Sequence, residues 1–104
     1  MLKRRNKRRY LAIFHMQDKT SIELLNIIKH RYIELFGSLG MELTSIFLYN
    51  SNYNQVLIIS CNLKYLNNIL TSICMVQPPV TTISMSGTLK KLRNNIKEII
   101  PRLC

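Results

Sequence analysis

The residues best placed to do chemistry in this chain are a short run near its end, "TTISMSGTLKKLRNN", residues 81–95. An alternating apolar pattern enters Ser86-Gly87-Thr88, and a helical pattern carrying Lys90, Lys91 and Arg93 leaves it. Gly87 permits a sharp turn, expected at positive φ, and Ser86 or Thr88 can cap the helix that follows. The first amides of a helix have no acceptor inside it, so together with the helix dipole they favour an anion. With three cations close by, the ligand that suits this turn is a phosphate. The same residues also describe a plain capped helix with a wet basic surface, so the run needs support from the rest of the chain.

Charge supplies that support. Fifteen Lys and Arg against five Asp and Glu give +10 over 104 residues, an imbalance that points to a polyanion. Six of the cations fall in the first nine residues: Lys3, Arg4, Arg5, Lys7, Arg8 and Arg9. Lys90, Lys91, Arg93, Lys97 and Arg102 crowd the last fifteen against Glu98 alone. Between them Lys19, Lys29, Arg31 and Lys64 balance Asp18, Glu23, Glu34 and Glu42. The excess therefore belongs to the two ends. Residues 1–8 lack hydrophobic periodicity and read as a flexible basic tail suited to RNA or DNA phosphates, with nuclear targeting or solubilisation as the alternative use.

Catalysis by the chain itself has little to work with. His15 ends an apolar run, His30 sits in "KHRY", and Cys61 and Cys74 lie in apolar segments where cysteine behaves as a small hydrophobe. No nucleophile–base pair, converging carboxylates or Gly-rich phosphate loop stands out. Three widely spaced cysteines suggest reduced thiols, with no zinc site. No catalytic residue, metal or cofactor is assigned to the protein. The apolar "YLAIF" is too short for a membrane span or signal peptide, so a soluble intracellular chain without a membrane partner is expected.

Positioning the two basic ends is the task of a single domain over residues 9–104, expected to be α+β. Residues 9–16, "RYLAIFHM", read as a first strand. A helix follows from Ser21, with Thr20 or Ser21 as cap; Ile22, Leu25, Ile28, Tyr32 and Leu35 form its stripe, and Gly37 is a left-handed stop. Residues 41–50 and 55–61 read as a hairpin, and "LKYLNNILTSICM" as a second helix bounded by Pro78 and Pro79. Residues 80–86 make the last strand, and a terminal helix from Thr88 is expected to stop at Pro101. This order is the ferredoxin-like (RRM-like) antiparallel sheet, β-α-β-β-α-β plus a C-terminal helix. One sheet face would gather Leu11, Ile13, Ile46, Leu48, Val56, Ile58, Ile83 and Met85. The alternating set, Tyr10, Ala12, Phe14, Met16, Phe47, Tyr49, Leu57 and Ile59, is also apolar. That second face needs a cover, either the terminal helix through Leu89, Leu92, Ile96 and Ile99 or a protein partner.

The segments "RYLAIF", "LFGSLG", "VLIISCN" and above all "SMSGTLKK" resemble the small ferredoxin-like protein subunit of ribonuclease P. This is the processing-of-precursor-RNA family of archaea and eukaryotes, shared in eukaryotes with ribonuclease MRP; the similarity runs from about Arg9 to about Arg93. The resemblance implies a non-catalytic, RNA-binding subunit of a ribonucleoprotein that matures the 5′ end of precursor tRNA. The catalyst would be the RNA with its bound magnesium, and the partners the ribonuclease P RNA, precursor tRNA, a barrel-fold protein subunit and other subunits of the particle. It further implies the nucleus or nucleolus in a eukaryote and the cytoplasm in an archaeon. On this sequence, Arg9, Tyr10, Ser86, Gly87, Thr88, Lys90 and Lys91 match the positions expected to touch or support RNA. Ser60 stands where the family's third strand often carries a basic residue, which shifts the expected affinity towards the tail.

A free-standing RRM-like module binding single-stranded RNA is the alternative. It calls for aromatics in a glycine-containing frame on a central strand, which "QVLIISCN" lacks. A phosphate-cradling enzyme of the acylphosphatase kind would need a glycine in "HMQDKTS", and a ligand-sensing module would not need +10.

Overall fold

The first strand, β1 (Arg8–Phe14), lies inside a four-stranded sheet and touches both of the chain's apolar layers. The computed structural model describes residues 7–15, 20–51, 53, 55–76 and 80–103. In chain order α1 (Ser21–Phe36), α2 (Ser38–Thr44), β2 (Phe47–Tyr49) and β3 (Val56–Asn62) follow β1. A single 3-10 turn over Leu63–Tyr65 then leads into α3 (Leu66–Cys74), β4 (Thr81–Ser86) and α4 (Leu89–Leu103). The strands run antiparallel in the order β2-β3-β1-β4. This is the expected ferredoxin-like arrangement, in which the first and last strands are neighbours.

The α1–α3 side of the sheet holds the larger core. Leu11 and Ile13 of β1 meet Leu57, Ile59 and Cys61 of β3 there, against Leu24, Leu25, Ile28 and Tyr32 of α1 and Ile69 and Ile73 of α3. On the opposite side Ala12, Val56 and Ile58 are closed over by Leu92 and Ile96 of α4. Each fully buried aliphatic side chain removes about 1.5–3 kcal/mol of unfavourable hydration. Of the two covers expected for the second face, the terminal helix is the one observed.

Val56, Ile58 and Ile83 nevertheless lie on the other face from the one expected. Tyr10 pairs with Ser60 and Leu11 with Ile59, so Leu57 and Ile59 accompany Leu11 and Ile13. A strand's side chains alternate, and a one-residue offset in register exchanges its faces. Ile83 follows from a register shift opposite Ala12 and Ile13, a bulge that turns it towards α4. Leu48 and Met85, expected in the core, are exposed.

Residues 41–50 do not form one long strand. Their first part belongs to α2, and only Phe47–Tyr49 pair with β3. The cause is local packing against α1. Gly40 lies against the Tyr32 ring, where an added Cβ would stand 3.5 Å from Cε1. Buried Thr44 Oγ1 is 2.8 Å from the Gly40 carbonyl oxygen and 2.6 Å from the Tyr32 hydroxyl, tying α2 to α1. Ser45 then reverses the chain at φ 53° and ψ 66°.

Helix boundaries follow ordinary capping. Thr20 Oγ1 accepts from the Glu23 amide at 3.2 Å and donates to the Glu23 carboxylate, so Thr20 is the cap of α1. Gly37 ends that helix at φ 87° and ψ 164°, a positive φ as expected but with an extended rather than left-handed helical ψ. Leu24 replaces Ile22 in the buried stripe, leaving Ile22 63% exposed. Pro101 does not stop α4, which continues to Leu103. The missing donor leaves only the carbonyl of Lys97 to be satisfied, on an exposed residue where water can serve.

Candidate nucleic-acid interface

Because β1 and β4 are adjacent and antiparallel, the start of one lies beside the end of the other. Tyr10 is the register partner of Ser86. The Arg9 guanidinium reaches back to donate to the Arg8 carbonyl at 3.0 Å, and its Nη1 is 3.5 Å from where a Cβ on Gly87 would stand. The two basic ends of the sequence thus meet at one corner of the sheet. Lys3, Arg4 and Arg5 lie outside the described residues.

At the turn, Ser86 is buried, and its Oγ accepts from the Thr88 amide at 3.4 Å. Exposed Thr88 caps α4, its Oγ1 accepting from the Lys91 amide at 3.3 Å. The helix therefore starts at the surface beside Arg9, with Lys90 and Lys91 exposed in its first turn. Gly87 is not at positive φ, contrary to expectation. The room a glycine leaves is taken by the Arg9 guanidinium. A Cβ there would make only an ordinary contact, so Gly87→Ala should change unfolding free energy by no more than about 0.5 kcal/mol in urea melts. A loss well above 1 kcal/mol would show that the turn is tighter than this geometry.

Arg93 stands apart from the turn. Its Nη2 donates to the Asn50 carbonyl at 3.1 Å, linking α4 to the connection after β2. Arg8, expected in the flexible tail, is the first residue of β1. Its Nε and Nη2 donate to Ser60 Oγ at 3.2 and 2.8 Å, and Nη2 also donates to the Ser45 carbonyl. The guanidinium lies 4.7 Å from the centre of the Phe47 ring. Ser60 Oγ in turn donates to the Tyr49 hydroxyl at 3.2 Å, so this buried hydroxyl uses both lone pairs and its proton. A cation thus stands beside Ser60, brought there by Arg8 from the neighbouring strand. Lys7 is exposed, and its carbonyl accepts from Leu63 at 2.8 Å, which anchors the chain just before β1.

Sequence reasoning missed Phe47 and Tyr49 as part of this corner. Phe47 is 54% exposed, and Tyr49 meets Tyr10 with ring centres 5.6 Å apart. The available signal was the alternation of Phe47 and Tyr49 about Leu48, which places both on the face of Tyr10.

Burial pushes the Cys61 thiol up to about 11, against the opposing pull of the Arg8 charge, so it stays protonated at neutral pH. His15 is buried at the end of β1, and neither ring nitrogen has a hydrogen-bond partner among the described residues. His30 and Arg31 both pair with Glu34 on the exposed side of α1. Among the described residues there is no group of three or more His, Cys, Asp or Glu able to hold a metal ion, and no helix long and apolar enough to cross a membrane.

A four-stranded antiparallel sheet with helices on both faces defines a ferredoxin-like α+β protein, here with a cationic corner. The model of the Rpp14/Pop5 family matches residues 7–97, and the chain belongs to that family of ribonuclease P subunits. Among solved structures, a chain of the cryo-EM structure of yeast ribonuclease MRP superposes with a TM-score of 0.58 at 12% identity, covering 98% of this chain and 95% of that one. At that identity the likeness concerns the fold. No curated protein matches the chain significantly.

Proposed function

We propose that the chain is a non-catalytic, RNA-binding subunit of a ribonuclease P or MRP ribonucleoprotein that supports RNA-catalysed 5′ maturation of precursor tRNA. The observation that carries this reading is the meeting of Arg9 and the Ser86–Thr88 turn at one corner. There β1 and α4 both begin, with Lys90 and Lys91 exposed in the first turn of the helix. A folded RNA can span such a corner, with phosphates at the helix start and along the tail. The chemistry of bond cleavage belongs to the RNA and its magnesium ions; the protein's share is to neutralise and position phosphates.

A barrel-fold protein subunit and further subunits of the particle complete the assembly. On the sheet's second face α4 already occupies the part around Ala12, Val56 and Ile58. Apolar side chains left in water elsewhere include Leu35 of α1, Leu39 and Leu43 of α2, and Leu48 of the edge strand β2. Placement in the nucleus or nucleolus follows if the source is a eukaryote, and in the cytoplasm if it is an archaeon.

Affinity purification of the full chain from its own cells tests the reading. A structured noncoding RNA and precursor-tRNA 5′ cleavage should co-purify, while the RNA-free protein with magnesium should cleave nothing above background. Turnover by RNA-free protein, or recovery without any structured RNA, would overturn it.

A further inference from the structure

Helix α4 crosses the sheet from the end of β4 towards the connection after β2 and covers only part of that face. Arg8, Tyr10, Phe47, Tyr49 and Ser60 share the face, as the pairings of Ser60 with both Tyr10 and Phe47 require. Tyr10 and Tyr49 are half-buried at the edge of the α4 cluster, whereas Phe47 lies beyond it, 54% exposed. One side of its ring is occupied by the Arg8 guanidinium, itself fixed by Ser60 and Ser45. Even so, more than half of the residue's surface faces solvent.

We propose that this corner is a stacking site for an unpaired nucleotide of the partner RNA, with the base lying against exposed Phe47. The inference rests on the RNA-binding reading above and adds the kind of RNA element that is bound. A ring clamped by an arginine loses little freedom when a base settles on it, and base–aromatic stacking contributes about 1–3 kcal/mol per base. Only an unpaired base can offer a whole face, because duplex bases are already stacked on their neighbours.

Charge selects RNA over a protein surface as the occupant. Strands β1, β2 and β3 contain no acid, and Lys7, Arg8, Arg9 and Lys64 sit on or next to them. An apolar protein surface would have no use for that array, whereas a nucleotide brings a phosphate with its base. Phe47 and Ser86 are three strand spacings apart, about 14 Å. The phosphate at the Ser86–Thr88 turn therefore belongs to a different nucleotide from the stacked one. Of the two central strands, β3 has no aromatic and β1 contributes Tyr10, while Phe47 and Tyr49 come from the edge strand β2.

The test uses the full chain and its Phe47→Ala, Phe47→Leu and Phe47→Tyr variants. Binding of a single-stranded oligoadenylate and of an RNA duplex of equal length is followed by fluorescence anisotropy across a salt series. Phe47→Ala and Phe47→Leu should weaken single-strand binding by about 5- to 150-fold, the loss that corresponds to one stacked base. The salt slope and duplex affinity should stay unchanged, and Phe47→Tyr should behave as wild type. Wild-type affinity in Phe47→Ala, full retention by Phe47→Leu, or equal losses on duplex would each overturn the stacking site while leaving the RNA-binding reading standing. If the unaltered chain binds neither RNA in a salt-dependent way, the RNA-binding reading fails and takes the stacking site with it.

Discussion

Leu92→Ala is expected to lower the unfolding free energy by about 2–5 kcal/mol, a large share of the roughly 5–15 kcal/mol typical of a domain. Among the described residues, Leu92 and Ile96 are the buried side chains through which α4 covers Ala12, Val56 and Ile58. Removing three carbons from the first of them leaves a void bounded by sheet residues that cannot collapse without breaking strand pairing. Leu92→Asp should be worse, because a carboxylate there would be buried among apolar side chains and α4 would have to lift away. Urea unfolding of both variants beside Leu39→Ala gives the comparison. Leu39 is 70% exposed, so its truncation should cost no more than about 0.5 kcal/mol. Equal, small losses at positions 92 and 39 would mean that α4 does not close this face in solution. The consequence reaches the RNA corner, since α4 begins at Thr88: a loosened helix also misplaces Lys90 and Lys91.

The order of strands and helices was legible because each carries a strong local signal. The aromatic and branched run of β1, Thr20 and Gly37 at the ends of α1, and the Ser-Gly-Thr break before α4 all speak for themselves. The apolar character of both sheet faces was legible too, and with it the need for a cover, for which α4 and a protein partner were the two candidates. Harder to read was anything set by one element acting on another. Residues 41–44 have a pattern compatible with a strand, and they become helical because Tyr32 offers Thr44 and Gly40 a place to pack. The face assignment of β3 failed because register is fixed by pairing with β1, which alternation within β3 alone does not specify.

The corner divides along the same line. Arg9, Tyr10, Ser86 and Thr88 could be placed together because the fold makes β1 and β4 neighbours. That Arg8 would reach across Ser60 to Phe47 depends on the distance between three strands, which no linear pattern states. Gly87 shows the converse. A glycine before a helix suggests positive φ, yet here it makes room for a neighbouring guanidinium.

Because Arg8 and Arg9 are held in β1, the tail can be tested without disturbing the fold by removing residues 1–6 alone. That deletion takes away Lys3, Arg4 and Arg5 and leaves the bonds of Arg8 to Ser60 and Ser45 intact. Each phosphate a protein neutralises contributes about 0.7–0.9 to the slope of log affinity against log salt, depending on whether the nucleic acid is single- or double-stranded. If all three cations engage phosphates, the slope should fall by about 2–3, and affinity at low salt should fall far more than affinity at high salt. Thermal unfolding should be unchanged, since no described core residue is removed. Titration of the partner RNA at four or more salt concentrations, with intact and shortened chains side by side, reads the difference directly. An unchanged slope would move the phosphate contacts from the tail to the folded corner, where Lys7, Arg8, Arg9, Lys90 and Lys91 would have to carry them. Replacing Arg9, Lys90 and Lys91 by alanine in the shortened chain would then flatten the slope further, so the two experiments divide the electrostatic binding between tail and corner.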